Sequence, residues 1–197
     1  MQNLHKAAKR FTKQTSQKGL TFIELIAGVG ITSILTVMAV PSLDSLTPNS
    51  DTEASVAGIQ SAADAAKLAA IDHASDVTLC HSADGKSCGG NWNDGWIVFV
   101  DRDSDRMVDS NDVIIKKGEK SEGTKIYFHS AISHSIQFTA QGFAKNPGTY
   151  QVCDNQNDIH SAHGVSINRS GLLIEAKDSN SDSVRENYDQ TPFTCAS

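Results

Sequence analysis

The pattern of apolar and polar positions changes its period near residue 75. The longest apolar run extends from Leu20 to Val40, and a single charge, Glu24, interrupts it. As a helix rising about 1.5 Å per residue, this run would span roughly 30 Å, the thickness of a bilayer's hydrocarbon core. A carboxylate inside a bilayer costs roughly 2.5–3.5 kcal/mol, so we expect Glu24 to have a use and a partner. The simpler alternative is an ordinary anchor that tolerates one acid near its end.

Residues 41–75 are predicted to continue the helix, with a kink near Pro41. Pro48 introduces a second weak point, and Ser50 and Glu53 then have the spacing of a capping box. Apolar residues recur after it at spacings of three and four, which predicts one narrow buried stripe. The stripe consists of Val56, Ile59, Ala63, Ala66 and Ala70.

Residues 76–197 switch to short apolar runs separated by turn residues, which predicts a β-rich globular domain. The predicted strands cover residues 77–80, 95–100, 113–116, 124–128, 135–139, 149–152, 164–167 and 171–174. Residues 178–190 are polar and poor in apolar side chains, which predicts a loose segment near the C-terminus. A stretch of this length can bury one core but not two.

The residues before the apolar run are basic and contain no acid. The bases are Lys6, Lys9, Arg10, Lys13 and Lys18. Basic residues beside an apolar span stay cytoplasmic, so the C-terminal domain is expected on the far side. A secretory signal peptide would need a small-residue cleavage site after the run, where Pro41 stands instead. Without these bases the chain has 12 Lys and Arg against 23 Asp and Glu, a net charge of −11.

The stretch from Lys18 to Leu25, Lys-Gly-Leu-Thr-Phe-Ile-Glu-Leu, resembles the prepilin motif of type IV pilins and type II secretion pseudopilins. The resemblance implies that residues 1–19 are a leader peptide, which a prepilin peptidase removes after Gly19. It also implies N-methylation of the new terminus at Leu20, where phenylalanine is the commoner residue. Glu24 is implied to guide assembly by meeting the N-terminal amine of a neighbour, because a buried carboxylate and ammonium tolerate each other as a pair.

A second stretch resembles the GspH/FimT group of minor pilins and pseudopilins: Val77-Thr-Leu-Cys80, Cys88 and Trp92 to Asp101. The resemblance implies an α+β, pilin-like fold in which one long N-terminal helix, membrane-spanning in its first half, packs on a C-terminal antiparallel β domain of two sheets. The implied location is the bacterial inner membrane, crossed once with a periplasmic C-terminal domain, and then a pilus or pseudopilus. The implied partners are the prepilin peptidase, other minor pilins or pseudopilins, and the major subunit.

Four cysteines, Cys80, Cys88, Cys153 and Cys195, lie in a domain expected in an oxidising compartment, which predicts two disulfides. Three pairings are possible. Cys80 and Cys88 bracket a short Asp-Gly turn, which favours a bridge between them and leaves Cys153 for Cys195. Zinc is a poor alternative, because the cysteines and histidines do not form close ligand pairs.

One acidic stretch is a candidate for separate chemistry. Aspartates at relative positions 1, 3, 5, 9 and 12 follow the oxygen-ligand spacing of a calcium loop: Asp101, Asp103, Asp105, Asp109 and Asp112. However, Arg106 occupies position 6, where the sharp turn favours glycine, and Asp112 is too short to replace the usual bidentate glutamate. We therefore favour a solvated turn and predict no bound metal.

No nucleophile elbow, phosphate-binding glycine loop or acid–base pair is found in the sequence, so we predict a protein without enzymatic activity or cofactor. Three functions stay open. The first is a minor pilin that primes or caps a type IV pilus near its tip. The second is a pseudopilin at the tip of a type II secretion pseudopilus, and the third is a minor pilin that binds DNA during natural transformation.

We do not expect nucleic acid to be a partner. DNA-binding members of the resembled group are expected to carry a Gly-Arg-x-Arg pattern, whereas this chain has Gly171-Leu-Leu-Ile174 with only Arg169 nearby. The net negative charge leaves little attraction for phosphate. The candidate basic patch, for which solvated lysines at a strand edge are the commoner explanation, is Lys116, Lys117, Lys120 and Lys125.

Overall fold

The computed structural model describes residues 19–39, 47–131 and 134–195 of the chain. The chain divides into two units, Met1–Ser42 and Leu43–Ser197. The predicted leader, apart from Gly19, and the predicted kink at Pro41 lie outside the described residues.

The first unit contains helix α1, Phe22–Ala39. No helix among the described residues combines the length and hydropathy needed to cross a membrane.

The second unit begins with helix α2, Thr47–Asp72, which ends just before the first strand. The capping box predicted at Ser50 and Glu53 does not start this helix, because α2 begins three residues earlier, at Thr47. Pro48 lies in the first turn instead of interrupting the helix. A proline is tolerated there because the first amide groups of a helix have no partner within the helix.

The eight predicted strands are confirmed, with bounds shifted by one or two residues. They are β1 Asp76–His81, β2 Trp96–Asp101, β3 Val113–Gly118, β4 Thr124–His129, β5 Ser135–Phe138, β6 Gly148–Asp154, β7 His163–Ile167 and β8 Leu173–Glu175. They form two four-stranded sheets, with the orders β3-β2-β1-β5 and β4-β6-β7-β8. Every neighbouring pair is antiparallel.

Helix α2 contacts strands of both sheets, and the core of the second unit lies between them. The predicted apolar stripe of α2 is confirmed: Val56 and Ile59 are buried, and so are Ala63, Ala66 and Ala70. Alanines on this face let the helix backbone approach the sheets closely. Larger side chains come from the strands, among them Tyr150, whose ring centroid lies 4.7 Å from that of Trp92.

A close contact between neighbouring strands involves a glycine and an aromatic ring. Trp96 on β2 faces Gly118 on β3 in the sheet register, and its indole ring covers the glycine. A Cβ atom at Gly118 would lie 2.0 Å from Trp96 Cε2, so no side chain fits there while the ring keeps its position. The pair therefore ties β3 to β2 at the end of the hairpin away from its loop.

The prediction of a loose segment over residues 178–190 is wrong. Isolated β-bridges join Glu186 to Lys177 and to Pro192, and Val184 and Glu186 are buried. Phe193 packs on β7, where a Cβ atom at Gly164 would lie 2.5 Å from Phe193 Cζ. Composition misled the prediction because much of the order comes from hydrogen bonds of short polar side chains, to which the few apolar side chains add burial.

Candidate assembly site and acidic loops

The junction predicted for proteolytic processing lies at the edge of the described residues. Gly19 and Leu20 are both exposed and precede α1. No atom lies within 4 Å of the position a Cβ would take at Gly19. The site is thus sterically open on the described side, while Lys18 and the rest of the basic segment lie outside the described residues.

The proposed assembly residue Glu24 lies in the first turn of α1. The Glu24 backbone amide donates to the Thr21 carbonyl at 3.1 Å and to Thr21 Oγ1 at 3.4 Å, so Thr21 acts as the N-cap. An acidic side chain near a helix N-terminus is favoured by the helix dipole. Glu24 therefore has a local structural benefit that the sequence pattern alone did not reveal. Its side chain is exposed in this unit.

Helix α1 presents apolar side chains on all its sides. Every described side chain from residue 19 to residue 33 is exposed, including large apolar ones: Leu20, Phe22, Ile23, Leu25, Ile26, Val29 and Ile31. Two hydroxyl groups are bonded within the helix: Thr32 Oγ1 donates to the Gly28 carbonyl at 3.0 Å, and Ser33 Oγ donates to the Gly30 carbonyl at 2.8 Å. A helix that is apolar all round requires an apolar environment or partner helices.

The four cysteines form two disulfides, Cys80–Cys88 and Cys153–Cys195. The first links β1 to the following loop and closes a short ring, with a sequence separation of 8. The second has a separation of 42 and ties β6 to the C-terminal segment. Each sheet thus has one covalent link. This is the pairing favoured by the short turn between Cys80 and Cys88.

The predicted acidic stretch forms the connection between β2 and β3; we call residues Asp101–Asp112 the first acidic loop. The structure brings its five aspartates into two groups that share Asp103, and in each group carboxylate oxygens lie within 4.8 Å of one another. The groups are Asp101, Asp103 and Asp105, and Asp103, Asp109 and Asp112. Desolvation, and then repulsion from the neighbouring carboxylates, raises the pKa of Asp103.

The structure bears on both sequence features that argue against a calcium loop, the missing glycine at position 6 and the short Asp112 at position 12. Arg106 adopts a φ of 68°, so position 6 has the left-handed conformation even though it is not glycine. Asp112 uses its two oxygens to close the loop: Oδ1 accepts from the Arg102 amide at 3.0 Å and Oδ2 accepts from the Asp109 amide at 3.1 Å. Asp112 therefore closes the loop through backbone amides, and Asp103 belongs to both groups of carboxylates.

Asp101 is the buried member of the first acidic loop, with no exposed surface. Its Oδ2 accepts three hydrogen bonds: from Thr78 Oγ1 at 2.8 Å, from Gln137 Nε2 at 2.7 Å and from the Arg106 amide at 3.0 Å. Its Oδ1 is also buried but has no hydrogen-bond partner among the described residues. Leaving such an oxygen without a partner opposes folding.

A further acidic cluster was missed by the sequence analysis. Asp178, Asp182 and Glu186 offer oxygens within 4.8 Å of one another in the segment after β8; we call residues Asp178–Glu186 the second acidic loop. The sequence did contain a signal for this cluster. Residues with acceptor side chains stand at positions 1, 3, 5 and 9 of the segment: Asp178, Asn180, Asp182 and Glu186. The serines between them made the segment resemble a disordered linker.

The candidate basic residues do not form one free patch. Lys116 donates to the Ser61 hydroxyl at 2.8 Å, and Lys125 donates to Asn157 Oδ1 at 2.9 Å, so both ammonium groups have partners. The two lysines also belong to different sheets, on β3 and β4. Arg169 is exposed and lines a surface cavity of about 680 Å³, and the acidic Asp189 lines the same cavity.

Comparison with known proteins identifies the family. The model of the family described as "Type II transport protein GspH" matches residues 55–171, more than half of the chain. The chain belongs to the GspH family. The match covers α2 from Ser55 onward and all strands up to β7, and therefore extends well beyond the motifs that suggested this group. The second acidic loop lies outside the matched residues.

Solved structures similar to this chain include minor pilins. The GspH-family chain is similar to two crystal structures of the type IV minor pilin FimU of Pseudomonas aeruginosa. The first has a TM-score of 0.53 at 14% identity and covers 77% of this chain and 99% of FimU. The second has a TM-score of 0.51 at 14% identity and covers 73% and 99%. The predicted α+β fold with two antiparallel sheets is confirmed.

The minor pseudopilin EpsH of the Vibrio cholerae type 2 secretion system also matches, with a TM-score of 0.46, 12% identity, and coverage of 64% of this chain and 95% of EpsH. No curated protein matches the chain.

Proposed function

We propose that this GspH-family protein is a minor pilin that primes or caps a type IV pilus as a structural, non-enzymatic subunit near the filament tip. The observation that carries the proposal is α1, whose described large apolar side chains are exposed while the Thr32 and Ser33 hydroxyl groups bond to the helix backbone. Such a helix suits lipid before assembly and neighbouring helices after it.

In this proposal the protein is held in the bacterial inner membrane by residues 20–40, with residues 41–75 continuing as helix and residues 76–197 forming the periplasmic domain. A prepilin peptidase removes residues 1–19, and Leu20 becomes the methylated N-terminus. The sequence motif and the open surroundings of Gly19 support this role. Other minor pilins and the major subunit are the proposed neighbours.

Glu24 is proposed to select the position of the subunit in the filament. It is the only charged residue from Leu20 to Val40, and the N-terminal amine of an adjacent subunit would give it a partner in an apolar environment. Its place in the first turn of α1 is consistent with a second, local benefit to the helix.

The test compares Glu24→Ala and Glu24→Gln with Ser33→Ala, a control that removes a polar group from the same helix. Both Glu24 variants are expected to enter the membrane fraction at least as well as the unchanged protein, because they remove a charge, but to be absent from sheared filaments. Ser33→Ala is expected to assemble normally. Normal piliation with both Glu24 variants would contradict the proposed role.

Processing is tested on the same protein by mass spectrometry. Filament-associated protein is expected to begin at an N-methylated Leu20, and Gly19→Val is expected to accumulate as a longer precursor outside filaments. Recovery of an intact Met1 terminus from filaments would contradict the leader assignment.

The alternative that keeps support is a pseudopilin of a type II secretion pseudopilus, because the matching family is described as a type II transport protein. A deletion strain separates the two functions. Loss of surface pili with normal exoprotein secretion supports the pilus, whereas the reverse result supports the pseudopilus.

A further inference from the structure

The second acidic loop has the construction of a cation site in a segment that no family motif covers. Asp178, Asp182 and Glu186 place oxygens within 4.8 Å of one another. Oxygens on opposite sides of a calcium ion, each at 2.3–2.6 Å, are separated by about 4.6–5.2 Å. Oxygens within 4.8 Å of one another are therefore close enough to share one calcium ion.

Glu186 supplies an observation that is independent of the acidic composition. It is 4% exposed, and its Oε1 is buried without a hydrogen-bond partner among the described residues. The other oxygen, Oε2, accepts from the Ser179 amide at 2.8 Å and from Ser179 Oγ at 2.9 Å. One oxygen is thus fixed by the protein while the other is left without a donor. A buried carboxylate oxygen is rarely left in that state unless an ordered water or an ion completes it.

The backbone of the loop positions the remaining ligands. Asp178 Oδ2 accepts from the Ser183 amide at 2.9 Å, and Asp182 Oδ1 accepts from the Val184 amide at 2.8 Å. Ser181 and Ser183 adopt φ values of 67° and 70°, which residues other than glycine rarely take. These bonds hold the carboxylates of Asp178 and Asp182 close to that of Glu186.

The first acidic loop repeats this construction in another part of the fold. Ser104 and Arg106, at positions 4 and 6, have φ values of 64° and 68°. The position 6 amide bonds to the position 1 carboxylate in both loops, from Arg106 to Asp101 at 3.0 Å and from Ser183 to Asp178 at 2.9 Å. Here too one buried oxygen, Asp101 Oδ1, has no partner among the described residues. Each loop therefore has its own unpartnered buried oxygen.

We propose that the second acidic loop binds a calcium ion through Asp178, Asp182 and Glu186, and that the first acidic loop binds a second one through Asp101, Asp103 and Asp105. The expected dissociation constants are about 10⁻⁴–10⁻³ M, the range of extracellular calcium modules. Calcium outside the cytosol would then order the connection between β2 and β3 and the segment that follows β8. This proposal does not depend on whether the protein serves a pilus or a pseudopilus.

The experiment is equilibrium dialysis of radioactive calcium against the purified full chain in detergent, with 5 mM total calcium as an upper limit, about five times the weakest expected dissociation constant. About two ions per chain are expected at saturation. Asp182→Asn and Glu186→Gln should each remove one ion, and Asp103→Asn should remove the other. Asp189→Asn, which removes an exposed acid three residues after the loop, is the charge-matched control and should retain both ions.

The amide variants are chosen to keep the fold intact. Asparagine at position 182 can still accept from the Val184 amide, and glutamine at position 186 can still accept from Ser179. In a calcium chelator all variants should melt within about 2 °C of the unchanged protein, and calcium should raise the melting temperature of the unchanged protein and of Asp189→Asn.

Binding that survives both Asp182→Asn and Glu186→Gln would overturn the second-loop site, and binding that survives Asp103→Asn would overturn the first-loop site. Saturation below 0.5 ions per chain at 5 mM calcium would overturn both.

Discussion

The long disulfide is expected to contribute more stability than the short one. The Cys153–Cys195 link closes a sequence separation of 42 residues, and the Cys80–Cys88 link closes one of 8. In the chain-entropy description, a cross-link destabilises the unfolded state by an amount that grows with the logarithm of the loop length. The expected contributions are about 4 kcal/mol for the long link and about 2.5 kcal/mol for the short one.

The two links are compared by replacing each pair with alanine, so that no free thiol is left to react. Cys153, Cys195 and Cys80 are all buried, so both double variants also lose some packing, and alanine avoids placing a hydroxyl group in these sites. Urea unfolding is followed by tryptophan fluorescence, because Trp92 and Trp96 both lie in the core. With a denaturant slope of about 2 kcal/mol/M, the midpoint should fall by about 2 M for the long link and about 1.2 M for the short one.

The denaturant slope provides an independent check. Removal of a cross-link lets the unfolded chain expand and expose more surface, so the slope should increase, and more so for the long link. An equal or larger loss from the Cys80–Cys88 pair, with unchanged slopes, would refute the unfolded-state explanation. The bridges would then act through native packing. Non-reducing peptide mapping checks the pairing itself, and a Cys80–Cys195 peptide would contradict it.

Three further predictions concern the packing, titration and charge of the globular unit. Ala66→Leu should destabilise the protein by about 1–3 kcal/mol in urea unfolding, because Ala66 has no exposed surface and the helix lies close to both sheets. Burial, and then the charge of Arg185, lowers the pKa of His163 from 6.5. The folded state therefore binds fewer protons than the unfolded state, so the stability present above pH 6.5 is lost as the pH falls through the lowered pKa, seen as a falling melting temperature. Duplex DNA should bind no tighter than about 10⁻⁴ M at physiological salt, and micromolar, salt-sensitive binding that Arg169→Ala abolishes would contradict this.

Matched controls separate these effects from general damage. Ala57→Leu adds the same bulk to an exposed position of α2 and should change stability by less than about 0.5 kcal/mol. A similar loss in both alanine variants would contradict the close-packing explanation. His129→Gln, at an exposed position, should leave the acid-induced loss of melting temperature unchanged, whereas His163→Gln should reduce it. An unchanged profile in His163→Gln would mean that other groups cause the loss.

Sequence reasoning located the strands because their signal is local. Most strands are short runs rich in β-branched and aromatic residues and bounded by turn residues, and all except β3 and β8 contain buried residues. The stripe of α2 was equally accessible, since Val56 and Ile59 set a period that the alanines continue. The start of α2 was not predictable in this way, because Ser50 and Glu53 have the spacing of a capping box although the helix begins at Thr47.

The functional features were less predictable, because they depend on bonds between backbone amides and short side chains. Glu24 and Gly19 stay predictions from a motif, whereas the N-cap role of Thr21 is visible only in the structure. Arg106 argues against a metal site in the sequence because position 6 favours glycine, although Arg106 adopts the left-handed conformation that glycine would take there. Composition does not reveal the second acidic loop, because a polar, serine-rich segment has the same composition whether its side chains bond to its own backbone or to water.

The contact between Trp96 and Gly118 has a consequence for the order in which the chain folds. Five carboxylates crowd the closed end of the β2–β3 hairpin, so repulsion opposes pairing that starts at the loop. The indole–glycine contact lies at the open end, away from these carboxylates, and it can set the register before the loop closes. We therefore expect the hairpin to close from its open end toward the loop. Salt should accelerate this step by screening the carboxylates, so refolding should be faster at 0.5 M than at 0.05 M sodium chloride.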